Sequence, residues 1–183
     1  MEQILWTGRA YYSLEHCQLY GTAGGMRVES VIAGIYEGNI YRVDYRLHTN
    51  PQWETQYLEL QSRYGDRWEN IVLKSDTRDS RTLNGQPAPQ FDGCLDVDIP
   101  LTPFTNTLPI RRLDLREGEE QLISIIYLDL IAGEIRPVQQ KYRRISEYVY
   151  HYENVPNDFE ADIQVNAEGL VVDYPGLFVR KVP

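Results

Sequence analysis

Several features that announce a function most directly are scarce or missing. The chain has two cysteines in 183 residues, Cys17 and Cys94. That is neither a zinc-ligand spacing nor a disulfide framework. There is no Gly-x-Ser-x-Gly elbow, Walker loop, dinucleotide-binding glycine run or zincin helix. Lysine and arginine total 18 and meet only in short clusters, Arg111-Arg112 and KYRR at 141–144. With a net charge of −9, this argues against recognition of a phosphate backbone and against simple docking on anionic lipid. The longest apolar run, LISIIYLDLIAG, is broken by Asp129 and is too short to span a bilayer. The opening MEQILWTGRAYY lacks a basic n-region and a long apolar core, so no secretory signal is read there. The expected setting is cytoplasmic, with reduced thiols. No cofactor or metal site is expected, and no catalytic residue is assigned.

What the chain does have is tyrosine: 14, against 4 phenylalanines. Tyrosine favours strands and joins an apolar ring to a polar tip, as a half-wet sheet facing a sugar or a headgroup would require. Period-two alternation is the dominant pattern. In residues 39–48, Tyr41, Val43, Tyr45 and Leu47 fall on one face, and Arg42, Asp44, Arg46 and His48 on the other. Further strands are expected over 26–36, 55–61, 68–74, 121–130, 138–145, 147–153, 159–165, 170–174 and 177–182. Residues 121–130 should be covered on both faces. Glu37-Gly38-Asn39 and Asn166-Ala167-Glu168-Gly169 read as hairpin turns. Residues 75–90 read as loop, with one short strand near Thr82. Nine to eleven strands with short connections spell a mainly β, antiparallel meander in a single domain, 1–183.

One stretch breaks the pattern: GCLDVDIPLTPFTNTLPIRRL, residues 93–113. The Thr102 hydroxyl is placed to cap a helix, and Pro103 suits a first helical position. Phe104 and Leu108 lie four apart, Ile110 and Leu113 three apart. The spacing predicts two short helical turns, or one kinked helix, over 103–113, placed to plug or cover an open sheet. Asp96 and Asp98 flank Val97 and point the same way, with Arg111 and Arg112 downstream. They are either a local ion pair, contributing about 0–1 kcal/mol if exposed, or a polar cluster that grips a headgroup.

This stretch closely resembles the signature of a bacterial family labelled "putative glycolipid-binding". LEHCQL (14–19), YRVDYRL (41–47), RPVQQKYRRI (136–145) and GLVVDYPGLFVR (169–180) resemble it too, in the same order. The resemblance implies a long antiparallel sheet curled into a spiral β-roll or partly open barrel, with helical turns near its interior. That shape is similar to bacterial carriers of lipoproteins and lipids, whose half-barrel holds acyl chains.

Three functions compete. The first is a non-catalytic binding protein for a glycolipid or fatty-acyl ligand. Its tail would lie inside the roll, and its head would meet His16, Asp96, Thr105, Asn106, Arg111, Arg112 and Tyr174 at the rim. For each tyrosine, sheet packing is the plain alternative. The second is a hydrolase-like enzyme using His16 with Cys94, or Asp96 with Asp98. His16 and Cys17 are strand neighbours and face opposite ways, so they do not form a base–thiol pair. The third is an interaction module that uses sheet edges. Either a monomer or a dimer fits the composition.

Overall fold

The computed structural model describes residues 1–77 and 80–181. Arg78 and Asp79 of the expected loop, and Val182 of the expected last strand, lie outside the described residues. The chain makes two meanders. The first is β1 (Glu2–Gly8), β2 (Ser13–Thr22), β3 (Gly25–Tyr36), β4 (Asn39–Thr49), β5 (Thr55–Tyr64), β6 (Arg67–Thr77), β7 (Ser80–Leu83) and β8 (Gln86–Pro87). A 3₁₀ turn (Pro89–Phe91) then leads to β9 (Asp96–Asp98) and the helix α1 (Phe104–Leu113). The second meander is β10 (Glu120–Asp129), β11 (Glu134–Ser146), β12 (Val149–Val155), β13 (Glu160–Val165), β14 (Val171–Tyr174) and β15 (Phe178–Lys181). This is fifteen strands among the described residues, more than the nine to eleven expected. β7 is the short strand expected near Thr82; the surplus is β1 and β2 at the start of the chain, with β8 and β9, which are too short to show a period. The Asn84-Gly85 turn joining β7 to β8 has both residues at positive φ, as a two-residue hairpin turn demands.

All fifteen strands form one sheet that does not close, in the order β8-β7-β6-β5-β4-β3-β2-β1-β15-β14-β13-β12-β11-β10-β9. Every pairing is antiparallel except β9 with β10. The two meanders meet where β1 pairs with β15, Leu5 opposite Lys181 and Gly8 opposite Phe178. The two edges, β8 and β9, are neighbours in sequence and are joined only by residues 88–95.

The sheet is rolled. On β4, Tyr41, Val43, Tyr45 and Leu47 are buried and their alternates face outward, as the pattern required. On β10, both faces are covered over part of the strand. Ile123 and Ile125 belong to the same core cluster as Tyr142, Ile163 and Val165, while Ile126 and Leu128 belong to the cluster that holds Leu58, Leu60 and Leu73. The two faces of β10 thus serve different core clusters. Arg67, at the start of β6, donates to the Leu130 and Ile131 carbonyls of the β10–β11 turn. Arg81 on β7 donates to the Thr55 carbonyl at 2.8 Å and to the Cys94 carbonyl at 2.5 Å. These charge-assisted bonds clip the edges together.

The helix fills the roll. Phe104 to Ile110 are buried without a break, Phe104 and Leu108 entering one core cluster and Ile110 the other. The Phe104 N–H donates to the Thr102 hydroxyl at 3.0 Å, the cap read from the sequence. It is one helix, with Pro109 inside it and Asp114 ending it in a left-handed conformation.

Candidate functional site

Hairpin turns alternate between the two rims of the roll. Turns 37–38, 65–66, 130–133 and 175–177 lie at what is here called the front rim. Turns 23–24, 50–54, 147–148 and 166–170 lie at the back rim, where α1 also ends.

At the back rim two cavities adjoin. One, of about 410 Å³, is lined by Arg111, Asp114, Arg144, Tyr148, Tyr150 and Asn166 among others. The other, of about 370 Å³, is lined chiefly by Met1, Leu19, Met26 and Leu170, with Glu2 and Glu168. Trp53, Arg111 and Ala167 line both. The Arg111 guanidinium lies 5.2 Å above the Trp53 ring, a cation–π contact. Neither the Arg111 fork nor the Trp53 indole N–H makes a hydrogen bond to another described residue. The Arg144 fork, by contrast, is spent on the carbonyls of Leu115, Ser146 and Glu147.

Trp53 is held in a conformation it does not favour, with φ +64. For a bulky side chain that is an outlier, of a kind that clusters at ligand clamps. The loop enforces it through Asn50. Its Oδ1 accepts the Gln52 and Glu54 N–H groups at 3.0 Å each, and its carbonyl accepts the Trp53 N–H at 3.0 Å. Gly169 matters for the same wall. Its φ of +74 favours glycine, and a Cβ there would come within 2.8 Å of Arg111 Cδ and push that side chain aside.

The residues expected at a headgroup site part company. Arg111 alone lines the back-rim cavities. Arg112 forms a buried bidentate pair with Asp96, Nε and Nη2 reaching its carboxylate at 3.1 and 2.6 Å. Even so, burial holds the Asp96 carboxyl above its usual range, against the lowering by Arg112. Thr105 donates to Asp98 Oδ1 at 3.0 Å, and Asn106 accepts the Tyr142 hydroxyl at 3.0 Å. Asp96, Thr105, Asn106 and Arg112 thus bond α1 to β9 and β11 inside the roll. Tyr174 packs near the front rim, 6.3 Å from both Tyr152 and Phe178. His16 lies on the outer face, 2.9 Å from Gln3 Oε1. There it borders an open outer concavity of about 1130 Å³ with Arg42, Glu59 and Trp68.

The sheet separates His16 from Cys94, which is buried with Cys17 in the core. Burial raises both thiols above their ordinary pKa, which favours the unreactive form. His151, Glu153 and Glu160 gather on another part of the surface. The Lys141 ammonium already occupies the Glu153 carboxylate, so this is an ion-pair network.

Sequence reasoning missed Trp53 and Glu15. Glu15 is 2% exposed. Its Oε1 accepts hydroxyls from Ser30 at 2.7 Å, Thr102 at 2.8 Å and Tyr45 at 3.0 Å, while Oε2 has no partner. Burial raises its pKa from 4.5 to about 7 despite those bonds. The signal was an acid at an inward position of an alternating strand. For Trp53 it was a tryptophan within a turn opened by Asn50-Pro51.

The profile of a family described as "Putative glycolipid-binding" matches residues 3–180. A DUF1089 family protein from Pseudomonas aeruginosa, known from a crystal structure, is similar over 91% of this chain and 92% of its own. The two share 36% sequence identity with a TM-score of 0.82. No curated protein matches.

Proposed function

The chain belongs to the family described as "Putative glycolipid-binding", and on that premise we propose that it binds an amphipathic ligand, a glycolipid or fatty-acyl compound, at the back rim. One observation carries the reading: two cavities of opposite character share a wall made by Trp53 and Arg111. Each lies in the size range of a small-molecule subsite. The apolar one, with Met26 and Leu170, takes the tail. The polar one takes the head, with Arg111 donating and the Trp53 indole as a stacking platform.

The tail was expected inside the roll. α1 fills that space, so the proposal moves the tail to the groove beside Leu19 and Met26. Of the expected head contacts, Arg111 is the one retained there.

The test is native mass spectrometry for co-purifying lipid, together with calorimetric titration by octyl glucoside and by a short fatty acid. Binding is expected, and Trp53→Ala or Arg111→Ala should each weaken it by about ten-fold or more. Absence of co-purified lipid and of binding by both probes would refute the reading.

A further inference from the structure

The front rim has hydrogen-bonding capacity that the protein does not use. Asp98 on β9 stands opposite Tyr127 on β10 in the parallel register. Its Oδ1 takes the Thr105 hydroxyl, and its Oδ2 takes Gln140 Nε2 at 2.7 Å. The same amide nitrogen lies 2.9 Å from the Tyr152 hydroxyl. Asp98 makes no salt bridge among the described residues, and it is only partly covered. Aromatic rings continue from this point along the rim. Tyr152 and Tyr174 are 6.3 Å apart, Tyr174 and Phe159 6.2 Å, and Tyr11 and Phe178 6.0 Å.

The hydroxyls of Tyr11, Tyr127 and Tyr174 bond to no other described residue, although Tyr174 is only 4% exposed. Burial first raises all three phenols, with the Asp98 charge among the further causes. Tyr11 is pushed up to about 12, and Tyr127 and Tyr174 also rise. All three therefore keep their protons at neutral pH and remain donors. None of the three hydroxyl oxygens is both shut off from solvent and unpartnered, so a ligand can reach them, and with Asp98 they offer hydrogen-bonding capacity that the protein leaves unused. A cation cage presents ring faces to its guest. Here the Tyr11 and Tyr174 rings pack against the Phe178 ring, the Tyr127 ring already carries the Arg136 guanidinium 5.1 Å from its centre, and Asp98 stands in register beside Tyr127. Such an array calls for a ligand with many oxygens that both accept and donate.

We infer that the front rim is a second site, for a neutral saccharide whose hydroxyls lie between Asp98 and the phenols of Tyr11, Tyr127 and Tyr174. The exposed ring of Phe159 gives the apolar face of a pyranose a platform. This site needs no acyl chain and lies at the opposite rim from Trp53, so it stands or falls independently of the amphipath site.

The test uses glucose, galactose, mannose and trehalose at millimolar concentration on the full chain. Saturation-transfer NMR detects binding, and aromatic ¹³C spectra locate it. At least one sugar should show transfer, with shifts at Tyr127 and Tyr174 and none at Trp53. Tyr174→Phe and Tyr127→Phe keep the ring and break no protein hydrogen bond. Each should leave the melting temperature unchanged and weaken binding by about five-fold. No transfer to any sugar, shifts at Trp53 in place of the tyrosines, unaltered affinity in both variants, or occupancy by choline but by no sugar would each overturn the inference.

Discussion

Glu15 is the residue whose chemistry differs most from its sequence appearance. An unfolded glutamate loses its proton near 4.5, but in the fold it keeps it up to about 7. Between those values the folded state holds a proton that the unfolded state has lost. This group's stabilisation is therefore complete below pH 4.5, falls as pH rises to about 7, and is flat above. The full loss is about 3 kcal/mol. Urea unfolding at a series of pH values should show that decline, and Glu15→Gln should flatten it. A wild-type profile already flat between pH 4.5 and 7 would contradict the assignment. Alternation fixed that Tyr41 and Leu47 point inward, and the same rule applied to β2 puts Glu15 inward too. It could not show that Ser30, Tyr45 and Thr102 converge on the carboxyl, because those partners come from three other segments. Asp96 and Asp98 were legible as a pair facing one way; that one meets Arg112 and the other Gln140 depends on how the sheet rolls.

Among the elements, α1 decides what the roll can hold. Its seven successive buried residues tie two core clusters together, and Leu108 is fully covered. Leu108→Ala should cost about 2–5 kcal/mol, because the enclosed site collapses poorly around a cavity. Thermal and urea unfolding would measure it, and a loss below about 1 kcal/mol would mean that the helix is not packed as described. The helix was legible from Thr102-Pro103 and from the spacing of Phe104, Leu108, Ile110 and Leu113, because capping and periodicity are local. Strand identity was legible for the same reason over most of the long strands, but β1 and β2 alternate as cleanly and went unread. In 75–90 the short strand expected near Thr82 is β7, whereas β8, joined to it by the Asn84-Gly85 turn, is two residues long and carries no periodic pattern. The back-rim cavities were not legible at all. They arise where the 50–54 turn, the end of α1 and the 166–170 turn meet, and no local pattern encodes that meeting.

For the molecule as a whole, the strand order around the sheet follows the chain order, cyclically shifted. A permutant that joins the ends of β15 and β1 by a short linker and opens at the exposed Asp92-Gly93 step should therefore keep the fold. Its fifteen strands would then run in strict sequence from β9 to β8. Circular dichroism and a cooperative melt would check this, and an unfolded permutant would show that the 88–95 connection is needed to hold the edges. The meander was readable from short connections, but the closure of β1 on β15 joins residues at opposite ends of the chain and left no local trace. That pairing also orders events during synthesis. β1 emerges first with a bare strand edge, and its partner β15 is translated after every other described strand. The first meander must wait with that edge open. A ribosome that stops short of Phe178 would release a chain with two unpaired edges, on β1 and β14, in the middle of its intended sheet.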